Sequence, residues 1–308
     1  MKVVFLGTGD IGLPTLRWLM DAPGIDLAGV VTQPDRPAGR GLRLVPCAVK
    51  KLALSRGILT LQPARVRAPD AVAEIAALQP DLLVVMAYGQ ILSQELLDVP
   101  KLGALNLHAS LLPRHRGAAP VHAAILAGDE RTGVTVMWMD AGLDTGDILL
   151  ARECPVAPGD TAGALHDRLA ELAPQALAEA LQLISAGRAP REKQDDTCST
   201  YAPKLTRALG RIDWTKNAGD TARMIRGLYP WPGCTSELEL AGGKRVEIKI
   251  HRAAVFDGIA DPSQLRLPCG SGGVLKLCEV QPAGGKRMSR EEFVRGYKVL
   301  GAVVPSGG

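Results

Sequence analysis

Two polar side chains stand two positions apart at the end of a short apolar run, Asn106 and His108 around Leu107. In an extended strand, residues two apart face the same side, so both side chains point the same way. The first offers a neutral amide donor, and the second titrates near neutral pH. Such a pair of side chains can hold an oxygen that gains negative charge and can move a proton. Without further polar neighbours, however, two such side chains are more often structural.

A second polar cluster is the turn Asp140-Ala-Gly-Leu-Asp-Thr-Gly-Asp147, which carries three carboxylates between two predicted strands. Its D-x-G-x-D spacing resembles part of a calcium loop, but the remaining ligand spacing and the closing Glu of an EF-hand are absent. The five histidines and six cysteines are scattered, without an H-E-x-x-H or C-x-x-C pattern. We therefore expect no metal site.

A glycine-rich turn, Gly7-Thr-Gly-Asp-Ile-Gly12, follows the first predicted strand and matches the G-x-G-x-x-G pattern of dinucleotide-binding proteins. That pattern also expects an acidic residue at the end of the second strand. This chain has Thr32 and Gln33 there, and Asp35 comes only after a proline. Nicotinamide binding is therefore disfavoured, and we expect a tight strand-to-helix turn with exposed amides that would be free to meet an anionic part of a substrate.

The elements that must position these residues alternate between strand-like and helix-like patterns through the first 190 residues. The predicted strands are Lys2–Leu6, Asp26–Val31, Asp81–Ala87, Leu102–Leu107 and Gly133–Trp138. The predicted helices are Pro14–Asp21, Pro69–Leu78, Ala119–Ala127 and a long closing helix, Thr161–Ser185. This alternation is typical of an α/β fold with a Rossmann-like, mainly parallel sheet covered on both faces. Asn106 and His108 would then lie at the carboxyl edge, where such sheets bind ligands.

The pattern changes near residue 190, and we predict a catalytic domain over 1–189, a linker over 190–208 and a C-terminal domain over 209–308. The linker is polar and contains prolines. One helix, Ala218–Leu228, is predicted beyond it, followed by short alternating segments at Lys244–His251, Leu265–Pro268 and Gly273–Val280. These favour a small β-barrel, OB-like in type.

Charge is distributed unevenly. Residues up to Pro190 contain 17 Lys+Arg against 19 Asp+Glu, whereas the rest contain 19 against 13. A basic second part favours an acidic partner such as nucleic acid, although a basic solvated surface fits the charge equally well. No apolar run is long enough for a signal peptide or a membrane helix. We therefore expect a cytoplasmic protein that needs no membrane or obligate protein partner and acts as a monomer.

Three motifs together resemble the formyltransferase family that uses 10-formyltetrahydrofolate: Asn106-Leu-His108, Ser110-Leu-Leu-Pro113 and Gly142-Leu-Asp-Thr-Gly-Asp147. The set is far more specific than any one of its motifs. The similarity continues through Arg116-Gly-Ala-Ala-Pro120 and Tyr229-Pro-Trp-Pro-Gly233, and it covers nearly the whole chain. It is closest to family members that act on charged tRNA, because members acting on small substrates lack the second domain.

The resemblance implies catalytic roles for Asn106, His108 and Asp144 in transferring the formyl group to the α-amino group of initiator methionyl-tRNA. Asn106 would donate to the oxyanion. Protonated His108 would donate a second hydrogen bond and a proton to the leaving folate nitrogen, and Asp144 would favour the imidazolium. The residues implied to bind the folate cosubstrate are Ser110, Leu111, Leu112, Pro113, Met86, Tyr88 and Asp140. The alternative is the same chemistry on a small amine acceptor.

The segment 33–46 carries three arginines, Arg36, Arg40 and Arg43, among prolines and glycines. Its composition alone predicts a mobile surface loop. The resemblance implies that this loop inserts into the tRNA acceptor stem, with Arg40 mattering most. The chain departs from the family pattern at three positions that carry no catalytic group. Proline, glycine and an aromatic residue are usual where this chain has Gly9, Ala109 and His115.

Overall fold

The computed structural model describes residues 1–38 and 43–303, so the predicted Arg40 lies outside the described residues. Two compact units are present. The first unit comprises Met1–Pro120, Arg131–Pro155 and His166–Pro203. The second unit comprises Val121–Glu130, Val156–Leu165 and Lys204–Gly308. The segment predicted as a linker is therefore divided, and its residues up to 203 belong to the first unit.

Helices and strands alternate along the first half of the chain, and strands dominate the last third. The strands are β1 Lys2–Gly7, β2 Asp26–Val31, β3 Arg36–Ala38, β4 Arg43–Val45, β5 Thr60–Leu61, β6 Leu82–Met86, β7 Ala104–His108, β8 Arg116–Gly117, β9 Arg131–Trp138, β10 Ile148–Pro155, β11 Tyr201–Ala202, β12 Cys234–Leu240, β13 Arg245–Phe256, β14 Arg266–Pro268, β15 Val274–Pro282, β16 Met288–Ser289 and β17 Val299–Ala302. The helices are α1 Leu13–Asp21, α2 Ala48–Ser55, α3 Pro69–Ala77, α4 Gln94–Leu97, α5 Pro120–Ala127, α6 Ala162–Ser185, α7 Ala218–Gly227 and α8 Arg290–Gly296.

The first unit is built on a seven-stranded sheet in the order β10-β9-β7-β6-β1-β2-β5. Five strands, from β7 to β5, run parallel; at one edge β9 pairs antiparallel with β7, and β10 pairs antiparallel with β9. The central strands β1 and β6 are buried along almost their whole length, as expected for parallel strands covered on both faces. The predicted Rossmann-like, mainly parallel sheet is confirmed.

The glycine-rich turn after β1 serves packing within the protein. A Cβ atom on Gly7 would lie 2.5 Å from a ring carbon of Phe5, so a larger residue would collide with the core. The backbone amides of Thr8 and Gly9 both donate to the carbonyl of Ala87, at 3.2 and 3.1 Å. The expectation of exposed amides is therefore wrong for these two residues, because the loop after β6 already uses them.

The second unit contains a six-stranded antiparallel sheet in the order β14-β15-β13-β12-β17, with β16 beside β15, and it forms a nearly closed barrel. Along β13, Ile248 and Ile250 are fully buried, while Arg245 and Arg252 are exposed. The indole of Trp214 is buried and donates to Ser236 Oγ at 2.8 Å. The predicted small C-terminal β-barrel is confirmed.

Two features are missing from the described part of the chain. None of its helices combines the length and the apolar character needed to cross a bilayer. Its His, Cys, Asp and Glu side chains form no group of three or more that would hold a metal ion.

Candidate active site

The three residues predicted to be catalytic meet at one carboxylate. Asp144 lies in the turn between β9 and β10, and one of its oxygens, Oδ1, accepts from Asn106 Nδ2 at 3.2 Å. The other oxygen, Oδ2, accepts from the backbone amide of Gly117 at 2.8 Å and lies 3.6 Å from His108 Nδ1. Side chains from β7 and from a turn almost forty residues later are thus brought together.

His108 is held in one orientation by a backbone carbonyl. Its Nε2 lies 2.9 Å from the carbonyl oxygen of His115, and the residue is 5% exposed. Because a carbonyl oxygen only accepts hydrogen bonds, Nε2 carries a proton and Nδ1 faces Asp144. The 3.6 Å separation from Asp144 is longer than a hydrogen bond. Nδ1 is therefore the ring nitrogen left to exchange a proton with a substrate.

Asp144 itself adopts an uncommon backbone conformation, with φ of +54°. Left-handed geometry costs about 1–2 kcal/mol for most L-residues, and aspartate is among the side chains that tolerate it best. The surrounding protein holds it there, since Gln194 Nε2 donates to the Asp144 carbonyl at 2.9 Å while Gly117 and Asn106 hold the carboxylate. The carboxylate is fixed by both its backbone and its side chain.

Gly117 owes its place beside Asp144 to the strand pair β8 and β11. Its φ is +113°, and a Cβ atom there would lie 2.7 Å from the carbonyl of Ala202 and 2.7 Å from the ring of Tyr201. Only glycine lets the chain pass this close to β11 while turning its amide towards the carboxylate. The geometry of the site therefore requires glycine at this position.

The loop Ser110–Pro113, predicted to contact the cosubstrate, uses its polar groups internally. Ser110 is fully buried, and its hydroxyl donates to the carbonyl of Arg114 at 2.6 Å. Thr135 Oγ1 donates to the Ser110 carbonyl at 2.7 Å and accepts from the amide of Leu112 at 3.1 Å. Leu112 is buried, whereas Leu111 and Pro113 are partly exposed. Of the four predicted residues, these last two have side-chain surface to offer a ligand.

The other residues predicted to bind the cosubstrate are also bonded within the protein. The carbonyl of Tyr88 accepts from Thr8 Oγ1 at 3.1 Å and from Gln33 Nε2 at 2.9 Å, and burial raises the pKa of the Tyr88 phenol. Met86 is 1% exposed. The Asp140 carboxylate accepts from the Gly142 amide at 3.0 Å and from Thr145 Oγ1 at 2.9 Å. Tyr88 is thus held through its main chain, and the Asp140 carboxylate is bonded within its own turn.

Two of the predicted RNA-contacting arginines lie on the short antiparallel pair β3 and β4. Arg36 and Arg43 are exposed, and Arg36 donates to the side-chain oxygen of Gln33. At the base of this hairpin, Lys50 Nζ lies 2.8 Å from Asp35 Oδ2, and this bond lowers the pKa of Asp35 below its ordinary value. Neither arginine is among the contacts of the Asp144 cluster.

Models of known families match both units. A formyl transferase model matches residues 1–181, and a model of the formyl transferase C-terminal domain matches residues 204–298. The chain belongs to the formyl transferase family. The family expected from the three motifs is thereby confirmed, and with it an enzyme that transfers formyl groups.

Relatives in the family match almost end to end. The methionyl-tRNA formyltransferase of Geobacter sulfurreducens is 45% identical over 97% of this chain and 95% of its own length. That of Pseudomonas paraeruginosa is 47% identical over 98% of this chain and 100% of its own length.

Solved structures of more distant proteins share the fold. An N-formyltransferase from Helicobacter canadensis, in complex with folinic acid and dTDP-3-aminofucose, aligns with a TM-score of 0.64 at 16% identity, covering 89% of this chain and 98% of that one. HypX from Aquifex aeolicus, in complex with tetrahydrofolic acid, aligns with a TM-score of 0.61 at 17% identity, covering 96% of this chain and 47% of that one. At identities this low, these structures show a shared fold and nothing more.

Three residues support the cluster although the sequence predicted no role for them there. They are His115, whose carbonyl receives His108; Thr200, whose Oγ1 accepts from the His115 amide at 2.8 Å; and Gln194, which binds the Asp144 carbonyl. Two of them belong to the segment predicted as a polar linker. A polar residue in a polar segment carries no pattern that separates a buried contact from a solvated one, so the sequence offered no signal.

Proposed function

We propose that this formyltransferase moves the formyl group of 10-formyltetrahydrofolate onto the α-amino group of initiator methionyl-tRNA. The observation that supports the chemistry is the meeting of Asn106 and His108 at the Asp144 carboxylate. The choice of acceptor rests on the named relatives, which match both units of the chain.

Each polar group of the cluster has a task in such a reaction. When an amine adds to the formyl carbon, the carbonyl oxygen gains negative charge. One N–H of the Asn106 amide is bound to Asp144, which leaves the second N–H to donate to that oxygen. Placing one such donor is typically worth ~10²–10³ in rate.

Proton transfer falls to the other two side chains. His108 Nδ1, which lies 3.6 Å from the Asp144 carboxylate, would protonate the folate nitrogen as the bond from carbon to that nitrogen breaks. Asp144 would accept the proton that the attacking amine loses. An α-amino group has an ordinary pKa of about 7.7–8.0, so much of it is already neutral near pH 7 and needs no strong base. The products are the N-formylated aminoacyl ester and tetrahydrofolate.

The residues beside the cluster fit a flat heteroaromatic cosubstrate. Leu111 and Pro113 are partly exposed apolar side chains on one loop, and Leu143, which precedes Asp144, is 50% exposed on another. Apolar walls with nearby backbone donors suit a pterin ring. We assign the contacts of 10-formyltetrahydrofolate to these side chains and to the main chain of 86–88 and 140–144.

Binding of tRNA is assigned to two basic regions. The arginines at 36, 40 and 43 would contact the acceptor stem. Lysine and arginine side chains after Pro190, where positive charge is in excess, would contact phosphates. On β13, Arg245 and Arg252 are exposed. Because such contacts release counterions, binding should weaken as salt is added. A cytoplasmic location and action as a single chain complete the proposal.

The test is transfer of radiolabelled formyl from 10-formyltetrahydrofolate to charged initiator tRNA, beside a panel of acceptors. The panel contains free methionine, charged elongator tRNA and a nucleotide-linked amino sugar. We expect labelled formylmethionyl-tRNA to dominate. Label on the amino sugar in preference to tRNA would favour a small amine acceptor, and no label on any acceptor would contradict the proposal.

A further inference from the structure

Gln194 is a half-buried residue in an otherwise exposed stretch of chain. All residues from Pro190 to Cys198 except Gln194 are exposed. The Gln194 amide nitrogen donates to the carbonyl of Asp144 at 2.9 Å and to the carbonyl of Gly146 at 2.7 Å. Its side-chain oxygen accepts from Nε and Nη2 of Arg116, at 3.0 and 2.8 Å.

These four bonds use the whole hydrogen-bonding capacity of the side chain, two donors and two acceptor sites. They join two segments that meet at the active site. One is the turn that holds Asp144 in its left-handed conformation, and the other is the strand in which Arg116 precedes Gly117. Because the Gly117 amide donates to the Asp144 carboxylate, Gln194 grips both the backbone of Asp144 and the segment that binds its side chain.

The chain around Gln194 is anchored along the β9–β10 hairpin, so its side chain is delivered to a fixed place. Glu192 and Ile148 exchange backbone hydrogen bonds of 2.8 and 3.0 Å. Lys193 Nζ lies 2.8 Å from Asp147 Oδ1. The indole of Trp138 donates to the carbonyl of Pro190 at 2.9 Å. A tether that only connected two domains would need none of these contacts.

The geometry points to Gln194 as a positioning residue of the active site, which holds Asp144 in register with Asn106 and His108 through the carbonyls of Asp144 and Gly146. Gln194 acts through Asp144 and touches no reacting atom itself. The inference rests on the proposed function only where turnover is measured, because the position of the carboxylate is observable in the free protein.

The first test uses the amide of Gly117, whose hydrogen bond to Asp144 reports where the carboxylate lies. Gln194→Met keeps the length of the side chain and removes its four bonds. Gln194→Glu can still accept from Arg116 but cannot donate, and it sets a negative oxygen against two carbonyls. We expect exchange of the Gly117 amide proton, followed by NMR, to be about 10-fold faster in both variants, since it reports local opening.

The control is Glu192→Ala, an exposed neighbour that meets Ile148 through backbone atoms only. It should leave Gly117 exchange unchanged. Thermal unfolding of each variant separates a local effect from loss of the fold, and we expect all three to keep the parental transition. Unchanged Gly117 exchange in both Gln194 variants would overturn the inference, whatever the protein turns out to formylate.

The second test is kinetic. Gln194→Met should lower kcat about 10-fold and leave KM for both substrates within about twofold, since a displaced carboxylate affects the chemical step rather than binding. In an Asp144→Asn background, the same substitution should cost less than about twofold, because residues that act through one another are not additive. Equal losses in both backgrounds would mean a general structural role and would overturn the inference. Absence of product from the parent protein would count against the proposed function, and the exchange measurement would still decide this one.

Discussion

The Asp144 cluster and the β3–β4 hairpin are both polar regions of the first unit, but they are built in opposite ways. In the cluster, each carboxylate oxygen and both nitrogens of His108 face a partner within the protein. On the hairpin, Arg36 and Arg43 are exposed. Groups that stabilise a transition state must be in place before the substrate arrives. Cations that bind a phosphate backbone act instead from exposed side chains that can extend to the phosphates. The comparison predicts that substitutions in the first region affect kcat and those in the second affect RNA binding.

The largest effects should follow removal of the two predicted donors. Asn106→Ala and His108→Ala should each lower kcat by ~10²–10³ while leaving the unfolding transition near that of the parent. Single-turnover formylation with both substrates saturating measures the chemical step. His166→Ala, a half-buried histidine on α6 outside the cluster, serves as the matched control and should keep parental activity. Full activity in either cluster variant would refute the catalytic assignment.

A somewhat smaller loss is expected when the shared carboxylate becomes neutral. Asp144→Asn can accept from the Gly117 amide only if its NH₂ group replaces Oδ1 and faces the Asn106 amide. The opposite orientation sets the NH₂ group against the Gly117 amide and His108 Nδ1. We expect kcat to fall about 100-fold, within the range typical of general acid–base groups. The comparison is made in the same single-turnover assay, with the exposed Asp98→Asn as control. A change in KM for the tRNA without a change in kcat would place Asp144 outside the chemistry.

Substitutions in the Arg-rich segment should show the opposite kinetic pattern. Arg40→Ala and Arg43→Ala should raise KM for charged tRNA about 10-fold each and leave KM for the folate unchanged, as expected for lost phosphate contacts. The slope of log affinity against log salt should fall by about 0.7–0.9 for each contact removed. Lys51→Ala, an exposed lysine on α2, is the control. If Arg40→Ala formylates tRNA with parental efficiency, the RNA assignment of this segment fails.

The smallest effect concerns the base of the same hairpin. The Lys50 ammonium donates to Asp35 and lowers the pKa of that carboxyl below its ordinary value of 3.8. A carboxyl with a lowered pKa stabilises the fold above its unfolded pKa and loses that contribution as the pH falls through the folded value. Asp35→Asn should therefore lower Tm by about 1–2 °C at pH 7, as befits a partly buried ion pair near the surface. The difference should shrink as the pH falls below 3.8 and vanish below the lowered pKa of folded Asp35, where both proteins are neutral at this position. A difference that persists there would show that the effect is not electrostatic.

Features set by local pattern were predictable from the sequence. The strand Asp26–Val31 has the predicted bounds, and α6 begins one residue after its predicted start. Asn106 and His108 were accessible because the spacing of residues along a strand fixes which face they share. Asp144 came from the family motif, since its distance from β7 along the chain exceeds any local repeat.

Features set by contacts between distant segments were not predictable. The helix α2 was missed. The strand after the turn at 140–147 was predicted without bounds, because β10 is half exposed at the sheet edge and lacks a continuous apolar run. The amides of Thr8 and Gly9 were expected to be free, and their partner, the Ala87 carbonyl, lies almost eighty residues away. The contacts of Gln194 and Thr200 were missed for the same reason, because hydrogen bonds between single polar residues leave no periodic pattern in the sequence.

The pairing of β8 with β11 also bears on when the active site can assemble as the chain is synthesised. The backbone amide of His115, whose carbonyl faces His108, donates to a threonine 85 positions later. Chains generally fold from the amino terminus as they are made, so the parallel sheet has its strands before that partner exists. A nascent chain that has reached only the end of α6 would possess Asn106, His108 and Asp144 and still lack the segment that orients them. Competence to react therefore arrives with residues 192–203, when only the second of the two basic regions assigned to tRNA is still to be synthesised.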